Sequence, residues 1–315
     1  MDRLVTFPLT EAGSAGFRQR TVKTAIDCVG VGVHSGHKTH LVIRPAEADH
    51  GIVFRRTDLN RTIPARHDAV CDTRLCTVIA DPAMPSARVG TIEHVMAALH
   101  GAGIDNALID VDGPEVPILD GSAAPYLFLL DCAGFVEQDA PRAVIEVQTP
   151  VRVTAGEAWA ELRPAGPLPR NGQPMLDMEL SIDFQATAIG QQSQALRLTP
   201  DNFRHRLANA RTFAMAAEVA QLQAAGLARG GSLDNAIVVD GASILNADGL
   251  RMEKEFVHHK LLDAVGDLAL AGARLHGRFV AHRTGHALNN RLLHALFAQA
   301  AGWRDAEAGS LSAAA

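Results

Sequence analysis

The chain's 315 residues are too many for one small module and set two domains as the expectation, at about 100 to 200 residues each. Hydrophobic residues at 47% and charged residues at 20% exclude a disordered chain and allow sizeable buried cores. A net charge of -6 excludes a broad basic face, so neither nucleic acid nor an anionic membrane is expected as the main partner.

The opening stretch MDRLVTFPLTEAGSAGFRQR has no continuous apolar run of the signal-peptide kind, and residues 1–19 read as a loose extension. No run of about 18 uncharged apolar residues follows, so a soluble cytoplasmic protein without stable membrane insertion is expected. Cys28, Cys71, Cys76 and Cys132 show no CxxC spacing and read as reduced structural thiols.

From Arg20 to Ala80, short β-rich runs alternate with Gly, Pro, Asp and Asn, the pattern of antiparallel strands and turns. Thr91 suits the N-cap of a helix carrying Ile92, Val95, Met96 and Leu99 on one face, closed by the glycines of HGAG. A strand follows at ALIDVDG, then a second helix at about Ala123 to Cys132. The polar, Pro-bearing VEQDAPRA reads as a linker and puts a domain boundary near Asp139 to Arg142.

The second half repeats the plan. Strands are expected in AVIEVQTPVRV, AWAELRP and MLDMELSIDF, then helices, the strand AIVVD, a long helix over 255–271, the strand RLHGRFVAH and a helix from about Ala287 to Ala301. The loop AGPLPRNGQP interrupts it, and residues 304–315 read as a flexible tail. Strands then helices, twice over, give an α+β fold: two α/β two-layer sandwich domains over 20–140 and 141–303.

The helix segment EFVHHKLLDAVGDL carries the strongest chemical signal, because His259, Asp263 and Asp267 recur every four residues and share one face. His-x3-Asp offers two metal ligands and needs a third from elsewhere; a solvated helix face is the plain alternative. In TIEHVMAALHG the adjacent Glu93 and His94 could supply that ligand together with a carboxylate for proton transfer, although a packing histidine is the commoner role. His286 in RTGHALNN follows a glycine turn between a strand and a helix, a position suited to a site mouth or to plain surface. Thr212 and the pair Gly230 and Gly231 are equally open, as a turn hydroxyl and a simple loop.

Seven segments stand in one order: RTVKTAIDCVGVGVHSG, RRTDL, TIEHVMAALHGAGIDNALIDVDGPEVPILDGSAAP, NARTF, GGSLDNAIVVD, LNADGLRMEKEFVHHKLLDAVGDL and TGHALNN. Together they resemble the zinc-dependent UDP-3-O-acyl-N-acetylglucosamine deacetylases of lipid A biosynthesis in Gram-negative bacteria, over about Arg20 to Trp303. The resemblance implies one catalytic Zn2+ held by His94, His259 and Asp263. It further implies Glu93 as general base, His286 as general acid or electrostatic stabiliser, Asp267 as its orienting carboxylate and Thr212 as the hydroxyl facing the oxyanion. Lys260 matches a substrate contact near the nucleotide phosphates, and Gly231 joins the substrate-binding residues. An apolar passage for the acyl chain would be lined by Phe213, Met215, Ala216, Val219 and Leu227. His258, beside His259, departs from the family pattern, but only His259 is four residues from Asp263, whereas His258 is rotated by about 100°. A monomer acting on UDP-3-O-acyl-N-acetylglucosamine is expected. The alternatives are a metal-dependent amidohydrolase for another acylated amino sugar, or a non-enzymatic nucleotide-sugar module in which the three metal-ligand types need not converge.

Overall fold

The computed structural model describes residues 18–169, 173–299 and 302–307. Its first half runs β1 (Arg18–Val22), β2 (Ile26–Val31), β3 (Lys38–Arg44), β4 (Ile52–Arg56), β5 (Arg61–Pro64), β6 (Val70–Asp72), β7 (Val78–Asp81), β8 (Met84–Val89), α1 (Glu93–Ala102), β9 (Ala107–Val111), α2 (Ala124–Ala133) and β10 (Phe135–Pro141). A five-stranded sheet in the order β2-β3-β9-β4-β5 is joined by a three-stranded sheet β6-β7-β8 and the pair β1-β10. Alternation explains the main sheet: Leu41 and Ile43 of β3 point inward and are fully buried, between exposed Lys38, His40 and Arg44.

The second half runs β11 (Ala143–Val147), β12 (Val151–Ala155), β13 (Ala158–Arg163), β14 (Leu176–Asp183), β15 (Gln191–Arg197), α3 (Pro200–Asn202), β16 (Phe213–Met215), α4 (Ala216–Ala224), β17 (Ile237–Asp240), β18 (Ser243–Ile244), α5 (Glu255–Ala269), β19 (Arg274–His282), α6 (His286–Ala298) and β20 (Trp303–Glu307). Seven strands form a mixed sheet around β19, and β16-β17-β18 form a small separate sheet. In β14 the inward residues Leu176, Met178, Leu180 and Ile182 are buried at every second position. The fold is α+β, and its buried apolar residues form one continuous cluster from Val22 to Leu296.

Helices α1 and α5 pack against each other, with α2 on α1 and α6 on α5. Gly266 of α5 permits this approach, since a Cβ there would run into the Glu93 carbonyl oxygen of α1. Gly103 closes α1 in the left-handed conformation at φ 81°, and Gly134 caps α2, as the glycines in those segments indicate.

Four expectations need correction. Thr91 does not cap α1: it has φ 58° and its hydroxyl donates to Glu115 Oε1 at 2.8 Å. The VEQDAPRA segment is mostly strand, because β10 pairs antiparallel with β1, so Arg18 and Gln19 also leave the expected loose extension. The tail begins later than 304, because β20 pairs antiparallel with β11 through Trp303 and Arg304. Strand β15, with apolar residues only at Ala195 and Leu196, has no strong alternation of its own and is specified by its pairing along β14. Residues 1–17, 170–172 and 308–315, which include most of the extension, part of the AGPLPRNGQP loop and most of the tail, lie outside the described residues.

Candidate metal centre and active site

The long helix α5 puts His259, Asp263 and Asp267 on one face, and packing against α1 buries all three. The three residues are thus buried and not on a solvated helix face. His94, second residue of α1, completes a group in which one ligand atom each from His94, His259 and Asp263 lie within 4.8 Å of one another. Asp263 Oδ1 is 3.2 Å from His259 Nε2 and 3.5 Å from His94 Nε2. The two imidazoles meet edge to face with centroids 5.0 Å apart. His258 lies outside this group, and neither of its ring nitrogens has a hydrogen-bond partner.

These residues fit a divalent cation. His259 Nδ1 donates to the Ala210 carbonyl at 3.0 Å, which leaves Nε2 unprotonated and facing the group. Asp263 Oδ1 is buried without a donor, a costly state for a carboxylate oxygen that a cation would relieve. Burial pushes the His259 pKa down to about 3, the neutral form a metal ligand needs. Burial acts to raise Asp263, yet the positive charge beside it, including the Lys260 ammonium 3.0 Å from its Oδ2, holds it well below the ordinary carboxylate range.

Beside the trio stands a second network. His286 opens α6 after Gly285, and its Nδ1 donates to Asp267 Oδ2 at 2.9 Å. Its Nε2 is 3.9 Å from Glu93 Oε1. Burial would lower the His286 pKa, but the carboxylates of Asp267 and Glu93 outweigh it and raise it to about 10. Glu93 is raised, chiefly by burial, with His286 and His94 opposing. Asp267 is held from two further sides, by the Thr77 hydroxyl at 2.6 Å and the Asn289 amide at 2.8 Å.

Both groups open into a cavity of about 380 Å³. Glu93, His94, Asp263 and His286 line it, together with Thr212, Phe213, Val219, Gly231 and Lys260. Met215, Ala216 and Leu227 are not among the lining residues; Ala216 is the first residue of α4 and Leu227 is 37% exposed. Leu222 and Ala228 line the cavity instead, together with nearby Leu233 and, from loops distant in sequence, Val33, Leu75 and Ile118. Lys260 also borders a neighbouring cavity of about 350 Å³ with Phe184, Arg283 and Thr284. Asn289 had a signal, lying in TGHALNN one helical turn after His286, whereas Thr77 had none.

Chemically, a buried cation site next to a carboxylate and a cationic imidazole can activate water and deliver a proton within one cavity. Residues 19–298 match the family model described as LpxC, UDP-3-O-acyl N-acetylglycosamine deacetylase. The chain is 46% identical over 290 residues to the UDP-3-O-acyl-N-acetylglucosamine deacetylases of Idiomarina loihiensis and Pasteurella multocida, covering 91% of this chain and 92% of each relative. The relative of the same name from Shewanella frigidimarina is 46% identical over 287 residues, 90% of this chain and 91% of its own. The chain belongs to the UDP-3-O-acyl N-acetylglycosamine deacetylase family.

Proposed function

We propose that this chain is a zinc-dependent deacetylase that hydrolyses the N-acetyl group of UDP-3-O-acyl-N-acetylglucosamine, giving UDP-3-O-acyl-glucosamine and acetate, the committed step of lipid A biosynthesis. Relatives carrying that name over most of both chains support the substrate. The observation that carries the chemistry is the convergence of His94, His259 and Asp263 from two helices, beside the Asp267 to His286 ion pair. We assign the protein to the cytoplasm as a monomer of two α+β domains, 20–140 and 141–303. Among the described residues no helix is long and apolar enough to cross a membrane.

When held by His94, His259 and Asp263, zinc supplies a Lewis acid for the acetamide carbonyl and for a water molecule. Glu93 Oε1, the carboxylate oxygen nearer His286, takes the proton of the attacking water. The Thr212 hydroxyl, on the cavity wall, donates to the carbonyl oxygen as negative charge develops there. His286, kept protonated by Asp267, stabilises that charge and donates its Nε2 proton to the departing nitrogen. Asp267 fixes the ring by accepting from Nδ1, so Nε2 faces the cavity. Lys260 contacts the substrate near its phosphates, and Phe213, Val219 and Gly231 form part of the acyl wall with Met215, Ala216 and Leu227 flanking it.

Acetate release tests this reading on a panel of N-acetylated amino sugars. UDP-3-O-acyl-N-acetylglucosamine should be the preferred member; preference for a differently acylated sugar would reassign the chain to another amidohydrolase activity.

A further inference from the structure

Thr77 is the residue before β7, and it is 1% exposed. Every polar group it has is engaged. Its N–H donates to Glu93 Oε2 at 3.0 Å, and its hydroxyl donates to Asp267 Oδ1 at 2.6 Å. Its carbonyl accepts from the N–H of Ile92, the residue before α1, at 3.3 Å. The segment between β6 and β7 therefore touches both sides of the site, the carboxylate on α1 and the carboxylate on α5.

The geometry points to Thr77 as a positioning residue that holds the base and the acid of this site to one fixed point. It rests on the roles proposed above for Glu93, Asp267 and His286. With Oε2 engaged by Thr77, Glu93 presents Oε1 toward His286 Nε2. Because Thr77 takes Asp267 Oδ1 and Asn289 takes Oδ2, the carboxylate cannot rotate, and His286 Nδ1 meets both of its oxygens, at 3.2 and 2.9 Å. A β-branched side chain suits this duty, because its χ1 is stiff and the hydroxyl needs no search. The N–H contact to Glu93 belongs to the backbone and survives any substitution that keeps the loop in place. The hydroxyl contact to Asp267 is thus the part a mutation can remove alone.

Thr77→Val and Thr77→Ser are made in the wild-type and His286→Ala backgrounds, and kcat, KM, Tm and bound metal are measured on the metal-loaded enzyme. Thr77→Val should lower kcat about 10- to 100-fold, the range for lost outer hydrogen bonds at such sites, with KM and metal content near wild type. Thr77→Ser, which keeps the donor, should restore kcat to within about 3-fold of wild type. In the His286→Ala background Thr77→Val should cost less than about 3-fold, because the acid it helps to orient is gone. A residue that merely fills space would lower both backgrounds alike, so equal losses overturn the inference, as does wild-type kcat in Thr77→Val. Should Thr77→Val not fold, Thr77→Cys, similar in size with a poor donor, is read against the same outcomes. Wild-type kcat in His286→Ala alone would instead refute the proposed roles, leaving the two failures distinguishable.

Discussion

Gly266 of α5 lies against the backbone of Glu93 on α1, so near that a Cβ at position 266 would meet the Glu93 carbonyl oxygen. That close approach brings the helix carrying His94 against the helix carrying His259 and Asp263. Gly266→Ala should push the helices apart, destabilise the fold by about 1 to 3 kcal/mol as overpacking does, and weaken metal retention. Tm and metal content after dialysis check this; a variant matching wild type in both would show that the two helices have slack.

The ligand set makes a contrast between adjacent histidines. His259→Ala should lose most of its metal, whereas His258→Ala should keep it, because only His259 Nε2 joins the group around Asp263 Oδ1. Metal analysis of both purified variants decides, and the reverse outcome would transfer the ligand to His258.

The pH dependence follows from His286, whose pKa is raised to about 10. The cationic ring dominates below that value and is lost as pH rises through it, so activity that needs the cation should have an alkaline limb. A divalent cation bound nearby brings that limb below the value for the metal-free protein. Asp267→Asn removes the strongest of the neighbours that favour the cation and leaves burial opposing it, so the limb should move to lower pH by about 1 unit or more. A pH profile of kcat for Asp267→Asn with an unmoved or more alkaline limb would contradict the ion-pair role.

Acyl recognition is tested by truncation. Each buried methylene contributes up to roughly 0.8 kcal/mol, and remote binding of this kind supports the chemical step as well as affinity. UDP-N-acetylglucosamine without its 3-O-acyl chain should be deacetylated about 10³-fold less efficiently in kcat/KM. Val219→Trp, on the cavity wall, should reduce turnover of the acylated substrate far more than of the unacylated one. Ala216→Trp, off that wall, should do so much less. Similar kcat/KM for the two substrates in wild-type protein would remove the acyl passage.

Much of this site was legible because helical spacing is local information. His259, Asp263 and Asp267 share a face by arithmetic, and His94 sits beside Glu93 in a helix whose Gly103 cap was visible in HGAG. What sequence could not supply was distance across the fold. Thr77 and Asp267 are 190 positions apart, and no pattern in RLCTVIA announces that one hydroxyl will reach the other element. Thr91 misled for a related reason: its hydroxyl suited a local cap, but Glu115 offered a buried acceptor and won it. The strand β10 was hidden because its sequence is polar and its partner β1 lies at the far end of the same half, so pairing rather than periodicity determines it.

The most direct test is metal-dependent release of acetate from UDP-3-O-acyl-N-acetylglucosamine, with metal per chain measured alongside. One divalent ion per chain, loss of both metal and turnover on chelation, and recovery of turnover on adding one equivalent of zinc are the predicted result. Undiminished acetate release from protein shown to be metal-free would contradict the account at its centre, because His94, His259 and Asp263 would then have no ion to hold.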